Sequence, residues 1–154
     1  ANRTGRVFTG DKSGDWLYRA LWQTGFANQP TSRDREDGLE LRDAWVSASV
    51  RCAPPDNKPL REEIAACRPF LERELAAMPQ LRVVVALGRL AFDNYLAGRR
   101  LGLVFAHNAE HHLPGQGEPL LISSYHPSQQ NTSTGKLTEP MLRAVFERAR
   151  RLIE

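Results

Sequence analysis

Two cysteines, Cys52 and Cys67, are all that these 154 residues contain, too few for a disulfide scaffold in a domain of this size. Long apolar runs are missing too. The longest, around "VVVAL", falls far short of the roughly 20 residues that a membrane span needs. No charged-then-apolar leader opens the chain, which therefore reads as cytoplasmic. There is no internal repeat, no low-complexity stretch and no dominant charge. The 21 Lys and Arg against 18 Asp and Glu leave a net +3, with no single basic tract, so the balance permits a nucleic-acid partner without demanding one. What is present is 41% hydrophobic residues, enough for one buried core, and 1–154 read as a single domain.

Hydrophobic periodicity alternates between helix and strand. "GDKSGDWLYRALWQTGF" offers Asp11 and Ser13 as helix N-caps, places Trp16, Leu17, Ala20 and Leu21 at helical spacing, and stops at Gly25. "AWVSASV" alternates as a strand and ends in the loop "RCAPPDNKP". "LREEIAACRPFLERELAAM" is a helix that Pro69 should kink or divide. "RVVVALG" has the continuous apolar character of a strand buried on both faces, and the helix "RLAFDNYLAG" follows it directly. "FAHNAEHHLPGQGE" reads as a loop with surface histidines, "PLLISSYH" as a strand, and the last residues from about Glu139 as a closing helix. The order implies an α/β fold of three layers, α/β/α, around a small central parallel sheet.

In such sheets ligands bind at the carboxyl ends of the strands, which gathers "RCAPPDNKP", "GRLA" and "HPSQQNTSTGK" in one place. Asn57 carries an amide that donates and accepts at once, as a base edge requires. His126 can donate to a carbonyl or stabilise a developing oxyanion. Taken singly, Asn57 is equally a turn residue and His126 equally a strand-end cap. The residues after His126 are small or amide-bearing, with no charge until Lys136, and offer neutral donors suited to a phosphate, a sugar or a base.

"ANRTGRVFTGDKSG", "VRCAPPDNKP" and "YHPSQQNTSTGKLT" occur in this order and at this spacing in the family 5, iron-sulphur type of uracil-DNA glycosylase, and the chain resembles that family along essentially its whole length. The resemblance implies a DNA-repair hydrolase of base excision repair. It would flip uracil, or another deaminated base, out of double- or single-stranded DNA and hydrolyse the N-glycosidic bond. It also implies a monomer, cytoplasmic and nucleoid-associated, with no membrane contact. Asp11 and His126 fall on the catalytic positions, and Phe8 and Asn57 on the residues that stack on and read the base. Arg6, Ser128, Gln129, Gln130, Asn131 and Lys136 fall on the DNA-binding segments. Asp11 is equally a helix N-cap, and a capped carboxylate has a lowered pKa, which would favour electrostatic stabilisation over strong general-base work.

The resemblance gives the cysteines a purpose as well. In the family four cysteines hold a [4Fe–4S] cluster, and Cys52 and Cys67 match the second pair; the first pair is expected in a preceding segment. That segment would also carry strand 1 of the family's 2-1-3-4 sheet, leaving an open slot beside its neighbours. As isolated thiols the pair would be small buried hydrophobes, or would join His111 and His112 in a zinc site of non-standard spacing. Two other function classes remain open on the residues. One is a non-catalytic nucleic-acid-binding or iron-sulphur module on the same fold. The other is a hydrolase pairing His126 with a serine, although "YHPS" lacks the glycine-flanked elbow that exposes such a nucleophile.

Overall fold

The computed structural model describes residues 12–34, 36–48, 61–97, 99 and 101–154, and in residues 12 and 61–67 the backbone alone. Its elements run α1 (Lys12–Gln23), α2 (Arg61–Ala76), β1 (Val83–Leu87), α3 (Arg89–Leu96), β2 (Ala109–His111), β3 (Leu120–Ser124), α4 (Gln129–Ser133) and α5 (Glu139–Ile153).

The sheet has three strands in the order β1-β3-β2. β1 and β3 are parallel, with Val83 opposite Leu120 and Leu87 opposite Ser124. Successive side chains point to opposite faces, which divides the core in two. Val83, Val85, Leu87 and Ile122 face α1 and α5, whose Leu17, Leu21, Leu142, Val145 and Phe146 are buried there. Val84, Ala86 and Leu121 face Phe92 and Leu96 of α3. This is the expected three-layer arrangement.

α5 buries Leu142, Val145, Phe146 and Ala149, the i, i+3, i+4, i+7 stripe of a helix lying on a core. Thr138 caps it by accepting from Met141 N–H, and Pro140 sits in the first turn, where a missing N–H costs nothing. Full burial of a side chain such as Leu142 contributes about 1.5–3 kcal/mol. α1 ends in a paired hydrogen-bond motif: Phe26 N–H donates to Leu21 C=O at 2.8 Å and Gly25 N–H to Trp22 C=O at 3.3 Å. That closure requires a left-handed residue, supplied by Gly25 at φ 83°.

Several expectations change. α1 begins at Lys12, so Ser13 lies inside the helix and is not its cap. α2 runs through Pro69 as one helix, bridged on its surface by an Arg68–Glu72 pair one turn apart. The loop read between "LGL" and "PLLISS" contains β2, which adds to β3 antiparallel, so the sheet is mixed and not purely parallel. His111 is therefore a buried strand residue and not a surface histidine: its Nε2 lies 2.9 Å from Ser123 Oγ.

Ala44–Ala48 of "AWVSASV" joins no ladder among the described residues. Its alternation is real all the same. Ala44 and Val46 pack on the core, whereas Trp45 Nε1 and Ser47 Oγ both donate to the Glu74 carboxylate of α2. Between this segment and the edge of β1 that has no partner strand among the described residues lies a largely apolar cavity of about 1050 Å³, walled by Val46, Leu75, Val84, Leu87 and Phe146. No described helix is long and apolar enough to cross a membrane.

Candidate active site

β1 and β3 are parallel, so both deliver their carboxyl ends to the same rim of the sheet, and the turns that follow them meet there. Gly88 follows β1 and His126 follows β3 by two residues. Gly88 N–H continues the ladder by donating to Ser124 C=O at 2.7 Å. A Cβ on Gly88 would come within 3.1 Å of the His126 Cβ, and φ is +93°. Both facts favour glycine here: a side chain would crowd His126, and the backbone conformation is strained for any residue with a Cβ. The cavity beside β1 reaches this rim, where Gly88 and His126 both line it.

Beyond His126 the chain turns at once into α4. Pro127 is buried, and Ser128 is the N-cap, its Oγ accepting from Asn131 N–H at 3.2 Å. Asn131 Nδ2 donates back to His126 C=O at 2.9 Å. Leu137 N–H donates to Asn131 C=O at 3.0 Å, and the fully buried Leu137 side chain anchors the far end of the loop. The hydroxyls of Thr132, Ser133 and Thr134 donate to the Gln129 or Gln130 carbonyls. Ser128 and Asn131 are thus occupied in shaping the loop, while Gln129 and Gln130 are exposed. Lys136 is exposed too, with its Nζ 4.8 Å from the centre of the Tyr125 ring, a cation–π contact.

On the other side of His126 stands an aromatic group. His107 stacks on Tyr125 with ring centres 4.8 Å apart, and Phe105 lies 6.3 Å from the same ring. His107 Nδ1 accepts from Tyr125 N–H at 3.1 Å, and Nε2 lies 3.3 Å from Met141 C=O. Burial holds the His107 pKa below its ordinary value, partly opposed by that bond to the carbonyl. The His111 pKa is lowered by burial as well. Sequence reasoning passed over His107, whose partners lie 18 and 34 residues away. Gly88 carried a readable signal, a glycine directly after an apolar strand.

Of the residues assigned from the sequence, Arg6, Phe8, Asp11, Cys52 and Asn57 lie outside the described residues. Cys67 lies on α2, and its side chain also lies outside the description. Among the described residues no group of three or more His, Cys, Asp or Glu could hold a metal ion. His111 Nε2 is engaged by Ser123, and both cysteine side chains of the zinc alternative lie outside the description.

Comparison with known proteins then supplies the lineage. Residues 1–150 match the family described as the uracil DNA glycosylase superfamily. The type-5 uracil-DNA glycosylase of Thermus thermophilus is 46% identical over 99% of this chain and 69% of its own length. That of Mycobacterium leprae is 43% identical over 99% of this chain and 68% of its own. That of Pyrobaculum aerophilum is 42% identical over 96% and 64%. The chain spans about two thirds of the length of these relatives, and it belongs to the uracil-DNA glycosylase superfamily, alongside the type-5 enzymes.

Proposed function

We propose that this chain is a DNA glycosylase of base excision repair that removes uracil from DNA. The observation that carries the reading is the 46% identity to a type-5 uracil-DNA glycosylase across 99% of the chain. The rim where Gly88 and His126 meet supports it, since two parallel strands deliver their carboxyl ends there, the place where α/β sheets bind ligands.

The reaction breaks the C1′–N1 bond; water supplies hydroxide to the sugar and a proton to the departing base. The base leaves with negative charge and the sugar passes through a cation-like state. A donor at the base oxygen and a carboxylate beside the sugar therefore stabilise the transition state more than the ground state. In this reading His126 is the donor and Asp11 the carboxylate. Phe8 stacks on the flipped base and Asn57 reads its edge. Flipping costs a few kcal/mol, offset by stacking and by contacts to the strand. Arg6, Ser128, Gln129, Gln130, Asn131 and Lys136 form the DNA-facing segments, the exposed Gln129, Gln130 and Lys136 by contact and Ser128 and Asn131 by shaping the loop.

Cys52 and Cys67 are, in the same reading, ligands of a [4Fe–4S] cluster. Such a cluster takes four thiolates, so the two cysteines of this chain do not hold it by themselves. In this reading the residues named above perform the reaction. Loss of iron from the intact protein in Cys52→Ser and Cys67→Ser variants is the expected result; iron retained at the wild-type level would remove both ligands from the assignment.

The test of function pairs two measurements on one uracil-containing duplex. Asp11→Ala should lower single-turnover base release by at least ~100-fold and leave binding nearly intact. Lys136→Ala should weaken binding and lower its salt dependence by about one counterion, with turnover at saturation preserved. No release of uracil by the wild-type protein would overturn the reading, and wild-type rates in Asp11→Ala would overturn the catalytic assignment.

A further inference from the structure

β3 stops at Ser124, and with it stops the ladder that gives each strand amide a carbonyl partner. The next amide, that of Tyr125, still has an acceptor, but a side chain provides it: His107 Nδ1, at 3.1 Å. A ring nitrogen that accepts from an N–H carries no proton, so the proton of neutral His107 is on Nε2, facing Met141 C=O in the first turn of α5 at 3.3 Å. One imidazole thus links the exit of β3 to the start of α5 and lies stacked on the Tyr125 ring between them.

His126 is the next residue. Its own carbonyl is held from the opposite side by Asn131 Nδ2 at 2.9 Å, and its Cβ lies against Gly88. The peptide entering His126 is fixed through Tyr125 and the peptide leaving it through Asn131. Of these two restraints, the one at Tyr125 alone comes from outside the His126 loop.

We propose that His107 is a positioning residue for the glycosylase site: its Nδ1 replaces the missing ladder partner at Tyr125 and so sets the direction in which the backbone presents His126. The inference rests on the role given to His126 above. A side chain that merely filled space would act through its bulk; a positioning residue acts through the acceptor. The two differ in which substitutions they tolerate.

The experiment uses His107→Leu, which keeps bulk and removes both polar contacts, and His107→Asn, whose Oδ1 sits as far from Cβ as Nδ1 does and can accept from Tyr125. Each variant of the intact protein is measured for hydrogen exchange at the Tyr125 amide, for affinity to a uracil-containing duplex, and for single-turnover excision. Displacement of a reacting group by an ångström can cost about 100-fold in rate, so His107→Leu should lose between about 10-fold and 100-fold in excision with affinity changed by less than about threefold. The Tyr125 amide should exchange faster in that variant. His107→Asn should recover most of the protection and most of the rate. Equal loss in both variants, or a wild-type rate in His107→Leu, would overturn the proposal. If His107→Leu does not fold, the Asn variant decides alone: a protected Tyr125 amide with a near wild-type rate supports the acceptor role, and an unprotected amide with an unchanged rate overturns it. Failure of the functional reading shows separately, as absence of excision by the wild type.

Discussion

β3 and β1 are neighbours in one sheet, paired residue for residue from Val83 and Leu120 onward, and their surroundings have little in common. β3 is central: Leu121, Ile122, Ser123 and Ser124 are all at 0% exposure. Among the described residues β1 is an edge strand, half-buried except at Ala86, with its unpaired side on the cavity. The more apolar strand is thus the less buried one. β3 can bury serines because each hydroxyl is satisfied. Ser123 Oγ donates to Ala106 C=O at 2.5 Å and accepts from His111, and Ser124 Oγ donates to Tyr125 C=O at 2.9 Å. Burial follows position in the sheet, and polarity is tolerated wherever partners exist.

Truncations to alanine, three carbons at Ile122 against two at Val84, put that contrast to the hardest test. Ile122→Ala should cost about 2–5 kcal/mol in urea unfolding of the intact protein, because the site is closed on all sides and collapses poorly. Val84→Ala on β1 should cost roughly 0.5–1.5 kcal/mol. Similar losses at the two positions would mean that the edge of β1 is covered in solution and the contrast does not hold there.

Ser123→Ala comes next in size. It leaves the His111 N–H and the Ala106 carbonyl without their shared partner, at about 1–3 kcal/mol for a stranded buried group. A neutral outcome in the same unfolding experiment would show that water reaches the pair.

The pH dependence follows from the same network. Burial lowers the folded-state pKa of both His107 and His111. Between that lowered value and the ordinary one near 6.5, the unfolded chain binds more protons than the folded one, so stability rises with pH. The contribution is complete above about pH 6.5 and is lost as pH falls through the folded-state value. Burial is the cause in both, opposed at His107 by the bond to Met141 C=O. His111→Gln, which retains a donor for Ser123, should flatten the decline that begins below about pH 6.5. An unchanged slope would assign it to other groups.

The smallest expected effect is on the exposed face of α3, where Arg89 and Asp93 pair one turn apart at 3.1 Å. Arg89→Ala should change stability by less than about 0.5 kcal/mol. A larger loss would indicate that the start of this helix, next to Gly88, carries more of the rim than its exposure suggests.

The long periodic elements were legible in the sequence: α1, α3, α5, β1 and β3 stand where the apolar spacing puts them. β2 and α4 were not. "AEH" and "QQNTS" are too short for any period to register, and each exists because of something outside it: β2 because β3 offers an edge, α4 because Ser128 caps it. "AWVSASV" shows the converse case. Its alternation correctly marks which side chains face the core, but a strand also needs a partner ladder, which alternation does not report. At the site, His126 and Lys136 could be singled out by residue type and place, whereas His107 could not, since its contacts depend on how distant elements pack.

The hydroxyls along α4 change what that loop displays. Ser133 Oγ gives its hydrogen to Gln129 C=O at 2.6 Å and Thr134 Oγ1 to Gln130 C=O at 2.7 Å, and Thr132 points its own the same way. With the hydrogens turned inward, the lone pairs face out. A run of residues that reads on paper as a row of donors is therefore, along these hydroxyls, a row of acceptors. Hydroxyls so engaged have no hydrogen to offer a phosphate oxygen and can only accept. In the function proposed above, attraction for the anionic strand at this loop would then fall to Lys136 and to the amide hydrogens of Gln129 and Gln130, and the hydroxyls of α4 would be left to accept.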